Sequence, residues 1–312
     1  MHPSRNSRNL LVAPDRTNDT PIWEYARTAA WGMLGFRDIK GWKRMDLQFK
    51  GRRALVTGSS SGIGEAIARM LAQEGCAVVV HGRDRARAEK VAADIGAAGI
   101  ALGDLSTDEG AASVHAAAVS ALGGNVEILV NNAGGSSTGN TTKGPAEIAI
   151  ADWISNYNAN ALSSVRLAQL AIPAMAAAAF GRIINVSSAV AVQPNNLGSD
   201  YSAAKSALNN FTVSLAGSLK GQGITVNTVS PGIIMVDGLI RFARAKFGNP
   251  NMTIEEITEK LVAAKVFDLP PAGRLGTPED LAVVVCTLAS PRSGFVTGAN
   301  YRVDGGQVRS LN

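Results

Sequence analysis

Short apolar runs bounded by glycines alternate along the chain with longer stretches whose apolar residues recur every three or four positions. Residues 53–57 and 77–80 are β-branched or apolar runs, and between them 62–74 sets Ile63, Ile67, Met70 and Leu71 at helical spacing. That is a strand, helix, strand unit. The same pattern predicts strands over 100–102, 128–130, 182–186 and 224–229, with helices near 84–96, 107–122, 152–179, 201–220 and 277–290. Strands that read as continuous apolar runs and are joined by helices predict a parallel α/β sheet covered on both faces, wound in both directions. Such a sheet binds ligands at the carboxyl ends of its strands.

Composition agrees with one large globular body. The 312 residues are 46% apolar and 18% charged, with 33 Gly and 12 Pro, which excludes fibrous and disordered classes. The longest apolar run, 167–180, is interrupted by Gln169 and Pro173 and is shorter than the ~20 helical residues needed to span a bilayer, so no membrane association is expected. Cys76 and Cys286 have no paired spacing. Neither a disulfide framework nor a metal site is expected, in keeping with a cytoplasmic location.

Charge locates a boundary. The formal charge is +5, but residues 1–50 hold nine Lys/Arg against five acids, leaving 21 against 20 in the rest of the chain. The main body is nearly neutral, which argues against a nucleic-acid surface. The first segment also holds Trp23, Trp31 and Trp42 before the composition turns to Ala, Gly and Val. Residues 1–44 are therefore expected to be an N-terminal extension and 45–312 the folded domain. The extension reads as a tail, as the product of a start assigned upstream of Met45, or as an amphipathic arm over 22–36; it lacks the apolar core and cleavage site of a secretory signal.

Candidate chemistry begins at the first strand-to-helix turn, Thr57-Gly58-Ser59-Ser60-Ser61-Gly62-Ile63-Gly64. Three residues separate Gly58 from Gly62, so it is not the G-x-G-x-x-G fingerprint. The physics is the same: Gly58, Gly62 and Gly64 permit a tight turn and close backbone approach, the helix start at Ile63 offers N–H groups to a phosphate, and Ser60 and Ser61 can donate hydroxyl hydrogen bonds. After the second strand stands His81-Gly82-Arg83-Asp84. A guanidinium at Arg83 suits a ribose 2′-phosphate and favours NADP; alternatively Arg83 only opens the next helix while Asp84 caps it or approaches the ribose, leaving NAD open. Tyr201 and Lys205, four apart on a helix, share a face, and an ammonium near a phenol lowers the phenol pKa towards a range useful for proton transfer.

These residues fall in the order of a known pattern. Thr57-Gly58-x-x-x-Gly62-Ile63-Gly64, Asn131-Asn132-Ala133-Gly134, Ser188, Tyr201-x-x-x-Lys205, Pro231-Gly232 and the closing stretches 274–280 and 297–306 together resemble the short-chain dehydrogenase/reductase family over about residues 47–307. Ser188 lies 13 residues before Tyr201, and Asn160 follows Trp153 as in the family's helix with a catalytic asparagine. The resemblance, to the 3-oxoacyl thioester reductase type and equally to reductases of steroids, sugars and small aromatic ketones, implies a single Rossmann-type domain with a mainly parallel seven-stranded sheet. It also implies a catalytic tetrad of Asn160, Ser188, Tyr201 and Lys205. Tyr201 would be the acid in ketone reduction and the base in alcohol oxidation, Lys205 would lower its pKa and bond the nicotinamide ribose, Ser188 would bond the substrate oxygen, and Asn160 would hold a relay water.

The resemblance further assigns the cofactor contacts. Asp104 and Leu105 would receive the adenine, unless Asp104 is only a helix-terminal cap. Asn132, Ala133 and Gly134 would lie beside the adenosine ribose or form a structural turn. Pro231, Gly232 and Ile234 would hold the carboxamide. Similar proteins carry a threonine five residues after that proline, and here Val236 stands there without a hydroxyl. Residues 235–271 would form the substrate loop; Phe242, Phe247 and Phe267 with Arg241, Arg244, Lys246 and Lys265 suit either an apolar substrate with an acidic end or an amphipathic lid. The implied function is NADP(H)-dependent reduction of a ketone to a secondary alcohol, or the reverse. The alternative is a non-catalytic dinucleotide sensor or scaffold. A homodimer or homotetramer is implied through the helices over 152–179 and 201–220, where Ala168, Ala171, Ala203, Ala204 and Ala207 either pack between subunits or pack on their own sheet.

Overall fold

The apolar runs become the strands of one sheet because they are buried on both faces. A computed structural model describes residues 46–135 and 143–310, and its compact unit starts at Leu47; the arm expected over 22–36 lies outside the described residues. The strands are β1 (Arg53–Val56), β2 (Ala77–Gly82), β3 (Gly99–Leu102), β4 (Ile128–Asn131), β5 (Gly181–Val186), β6 (Ile224–Pro231) and β7 (Asn300–Val303). They lie in the order β3-β2-β1-β4-β5-β6-β7, each neighbouring pair parallel. Winding reverses between β1 and β4, which opens a crevice at their carboxyl ends. Register fixes its floor: Val56 stands opposite both Val80 and Val130, so the three strands end nearly level.

Helices cover both faces. They are α1 (Gly62–Gln73), α2 (Arg85–Ile95), α3 (Asp108–Leu122), α4 (Ile150–Tyr157), α5 (Ser163–Ala177), α6 (Ser199–Ser218), α7 (Asp237–Phe247), α8 (Ile254–Ala263) and α9 (Pro278–Ala289). Alternation along β1 divides the core: Ala54 and Val56 join Ile67, Leu71, Leu281 and Val285 under α1 and α9, whereas Leu55 joins Val114, Leu167, Met175 and Val226 under α3 and α5. Ala168, Ala171 and Ala204 are fully buried within the subunit. Ala168 and Ala171 pack in the core on their own sheet, and Ala204 is closed off within the subunit; Ala203 is exposed.

Two stretches differ from the periodicity. The helix expected over 152–179 is interrupted by a π turn, Asn158–Leu162, between α4 and α5. Amphipathic spacing alone does not register one inserted residue that locally unwinds the helix, and such turns concentrate at functional sites. The stretch expected as a loop over 235–271 carries α7 and α8, which share a small core of Ala243, Met252, Ile257 and Leu261 against which Phe247 and Phe267 pack. Most of its aromatic content therefore serves the lid itself.

Candidate active site

The glycine turn is held from below by buried polar groups. Thr57 Oγ1 accepts from the N–H groups of Asn132 and Ala133, both at 2.9 Å, and Asn132 Nδ2 donates to the carbonyls of Thr57 (2.9 Å) and Gly58 (3.2 Å). His81, at the end of β2, receives the Gly58 N–H on Nδ1 at 3.0 Å, and its Nε2 lies 3.3 Å from the Gly103 carbonyl. The two partners require the neutral, Nε2-protonated ring, and burial holds its pKa down at about 4. Gly64 sits where a Cβ would stand 2.4 Å from the Gly58 carbonyl oxygen, and Gly58 has φ +62° with Ala133 Cα 2.9 Å from its missing Cβ. These glycines answer to close approach between β1 and β4 as well as to any ligand.

A cleft of about 740 Å³ opens above this turn, well within the range of small-molecule and cofactor sites. Gly58, Ser60, Ser61, Gly62, Ile63, Asn132, Gly134, Ser188, Tyr201, Lys205, Pro231, Gly232 and Ile234 line it. Gly64, Ala133 and Asn160 lie behind its wall. Arg83, Asp104 and Leu105 are outside its lining, and Leu105 is buried in the α3 core. Asp104 closes its own turn by accepting from Ser106 N–H at 2.9 Å, and this bond holds its carboxyl below the ordinary value. Asp84 caps α2 by accepting from Arg87 N–H at 3.1 Å. The cations that do reach the cleft at this end are Arg87 and Lys90, one and two turns along α2. Sequence reasoning passed over them because only helix packing turns that face towards Ser60 and Ser61.

At the opposite end β5 runs into the turn at Ser187 and Ser188, and α6 is clamped over it: Ser202 Oγ donates to the Val190 carbonyl at 2.7 Å and Ser206 Oγ to that of Ala191 at 2.8 Å. The two adjacent serines are thereby separated. Ser187 Oγ donates to the Lys205 carbonyl at 3.2 Å, whereas Ser188 Oγ accepts from the Val190 N–H at 3.4 Å and lines the cleft together with Tyr201. Burial raises the Tyr201 pKa and the Ser188 hydroxyl partly offsets it. Lys205 is buried, donates from Nζ to the Val186 carbonyl at 2.8 Å, and stands 5.8 Å from the centre of the Tyr201 ring. Burial brings its pKa down to about 8. The spacing of four residues led us to expect a lowered phenol pKa; here desolvation dominates over the lysine, whose ammonium points to the β5 carbonyl.

Asn160 lies in the π turn with its amide fully engaged. Its Oδ1 accepts from Gly135 N–H at 2.8 Å and its Nδ2 donates to the Gly135 carbonyl at 2.9 Å. A Cβ on Gly134 would lie 2.5 Å from Asn160 Oδ1 and 3.4 Å from Lys205 Nζ, so this glycine separates Asn160 and Lys205 at the cleft wall. On the lid side, Val236 packs over Gly62, its Cγ1 3.7 Å from where a Cβ would be. Asp237, Gly238 and Arg241 of α7 complete the lining.

Comparison with known proteins places the chain in a family. Residues 52–244 match the family model for short chain dehydrogenases. An oxidoreductase of Bacillus subtilis, YvaG, is 36% identical over 86% of this chain and 100% of its own. The 3-oxoacyl-[acyl-carrier-protein] reductase FabG of Vibrio cholerae is 35% identical over 83% and 98%. The structure of L-sorbose reductase from Gluconobacter frateurii, complexed with NADPH and L-sorbose, superposes with a TM-score of 0.77 at 32% identity, covering 86% of this chain and 100% of that one. The chain belongs to the short-chain dehydrogenase/reductase family and is an oxidoreductase of that family acting on CH–OH or carbonyl groups.

Proposed function

We propose that the protein reduces a ketone to a secondary alcohol, or runs the reverse oxidation, with NADP(H) as cofactor and Tyr201 as the acid/base. The observation that carries this reading is the meeting of Tyr201, Ser188 and Lys205 in the cleft whose other end is the glycine turn. The fit of a dinucleotide rests on that turn: glycines whose Cβ atoms would meet backbone, the uncapped start of α1, and Ser60 and Ser61 beside it. When bound, the nicotinamide would supply or take the hydride. The chain's own groups handle the oxygen and the proton. Tyr201 Oη donates its proton to the carbonyl oxygen as charge develops there, and Ser188 Oγ holds the same oxygen. Lys205, charged below about pH 8, adds a positive field beside the phenol and can reach a ribose hydroxyl.

NADP is favoured over NAD by two cations that line the cleft beside Ser60 and Ser61, Arg87 and Lys90, with Arg83 following Gly82, whose backbone faces Ser60, just outside the lining. Asp84, the acid that would have served a ribose hydroxyl, is occupied as a helix cap. Among the substrate classes represented by its relatives, 3-oxoacyl thioesters and keto sugars are the ones to screen first. The non-catalytic scaffold reading is weaker, because it gives no reason for Ser188, Tyr201 and Lys205 to line one cleft. Assembly as a homodimer or homotetramer through α4, α5 and α6 is supported by exposed apolar side chains there, Ile150, Ile154, Leu170 and Val213. Buried thiols at Cys76 and Cys286, both pushed to higher pKa, suit a cytoplasmic setting.

Fluorescence titration of the full chain with NADPH and NADH tests the cofactor, with Arg83→Ala alongside. NADPH should bind more tightly, and the variant should lose roughly tenfold of that preference, about the value of one charge-assisted contact. Turnover of acetoacetyl-CoA and L-sorbose then tests the chemistry. Tyr201→Phe should bind NADPH like the wild type and lose at least about a hundredfold in kcat; retained turnover would overturn the assignment.

A further inference from the structure

A buried carboxylate immediately before Tyr201 has no place in the chemistry above. Asp200 is 1% exposed and lies in the first turn of α6. Its Oδ1 accepts from the Tyr201 N–H at 3.0 Å and its Oδ2 accepts from Asn156 Nδ2. Asn156, on α4, is wholly buried. It in turn faces Asn160, whose Nδ2 donates to the Asn156 carbonyl at 3.1 Å and to Asn156 Oδ1 at 3.3 Å. Asn160 ends the chain on Gly135, at the cleft wall. A continuous path of hydrogen bonds thus runs from the helix that bears the acid/base, through α4 and the π turn, to the glycines that line the cleft.

The direction of this path is set at both ends. An amide can turn by 180° and exchange donor for acceptor with little change in shape, so Asn156 takes its orientation from its partners, whereas the Asn160 amide is already directed by backbone, its Oδ1 accepting from Gly135 N–H and its Nδ2 donating to the carbonyls of Gly135 and Asn156. A carboxylate whose two oxygens each receive an N–H acts only as acceptor. It forces Asn156 to present its NH₂ to Asp200 and therefore its oxygen to Asn160. That oxygen meets the NH₂ that Asn160 directs at it, at 3.3 Å, so the carboxylate and the backbone agree on one direction. We infer that Asp200 and Asn156 are positioning residues that hold the Asn160 amide in place and through it steady the Gly134–Gly135 wall of the cleft. The inference rests on the reading of that cleft as the cofactor and reaction site. A buried amide and carboxylate would otherwise be costly choices where two apolar side chains could fill the space. No spacing rule pairs Asn156 with Asp200, which are 44 positions apart.

Two variants separate positioning from packing. Asn156→Leu/Asp200→Ala replaces both partners by apolar groups, which can leave stability nearly unchanged, and Asp200→Asn keeps shape while adding an NH₂ that must oppose either the Tyr201 N–H or the NH₂ of Asn156. In each, the melting temperature, the hydrogen-exchange rate of the Gly135 amide and the NADPH dissociation constant are measured on the full chain. Positioning predicts that at a melting temperature close to wild type the Gly135 amide exchanges at least about fivefold faster and NADPH binds at least about fivefold more weakly, the effect of one buried hydrogen bond. Wild-type exchange and wild-type affinity in either folded variant would overturn the inference; should the double variant not fold, Asp200→Asn decides alone. Tyr201→Phe serves as the separate control. Its turnover reports on the hydride-transfer reading, while its Gly135 exchange rate should stay at the wild-type value, so that the two ideas fail independently.

Discussion

Single side chains at this site are shaped more by what surrounds them than by their neighbours in sequence. His81 is the clearest case: an ionisable group used as a neutral strut, with Nδ1 taken by the glycine turn. Its pKa is held at about 4 in the fold against 6.5 unperturbed, so between those values the unfolded chain binds more protons. Stability from this group is complete above about pH 6.5 and is lost as pH falls towards 4, by about 3 kcal/mol in all. Urea unfolding at pH 7 and pH 4.5 should show the loss, and His81→Gln, which keeps an acceptor and a donor, should flatten that part of the difference. Val236 makes a second case. A hydroxyl there would face the cleft above Gly62, and Val236→Thr should tighten NADPH binding several-fold, as one added hydrogen bond of about 0.5–1.5 kcal/mol allows; an unchanged or weaker dissociation constant would refute it.

At the scale of elements, the β4 turn and the π turn meet as a pair. Gly134 and Gly135 have φ of +147° and +137°, so an alanine at either is strained by about 1–3 kcal/mol. Only Gly134 also faces an atom, Asn160 Oδ1 at 2.5 Å from its missing Cβ, whereas the Cβ of an alanine at 135 would meet open space. Gly134→Ala should therefore lower the urea midpoint and the NADPH affinity more than Gly135→Ala; equal effects would show that backbone strain alone matters there. The lid teaches the opposite lesson. Its charges and aromatics were legible as an amphipathic stretch, but which of them turn inward depends on α7 folding against α8. Phe247 and Phe267 are spent on that contact, and Arg241 is left at the cleft.

For the whole molecule, the apolar side chains that the sheet does not use carry the prediction. Ile150 and Ile154 on α4 are 73% and 59% exposed, and Val213 on α6 is 59% exposed. Association through these helices predicts that Ile154→Glu/Val213→Glu yields a smaller species in sedimentation velocity while keeping its circular dichroism; an unchanged sedimentation coefficient would place any interface elsewhere. Among the described residues no helix is long and apolar enough to cross a membrane, and no cluster of His, Cys, Asp or Glu is arranged to hold a metal.

The sequence by itself determined the alternation of strands and helices, the glycine turn after β1 and the shared helix face of Tyr201 and Lys205, because each depends on spacing within one element or on a turn that only particular residues can make; Ser188 was legible only through the family resemblance. Tertiary structure decided what depends on contacts between distant segments: that Asp84 and Asp104 close local turns, that Arg87 and Lys90 reach the cleft, that desolvation rather than the lysine sets the direction of the Tyr201 pKa, and that Asp200 finds Asn156. Burial and hydrogen-bond partners arise only when β1, β4, β5 and α6 are brought together, and it is burial that turns a polar residue from a solvated surface group into one that must have a partner.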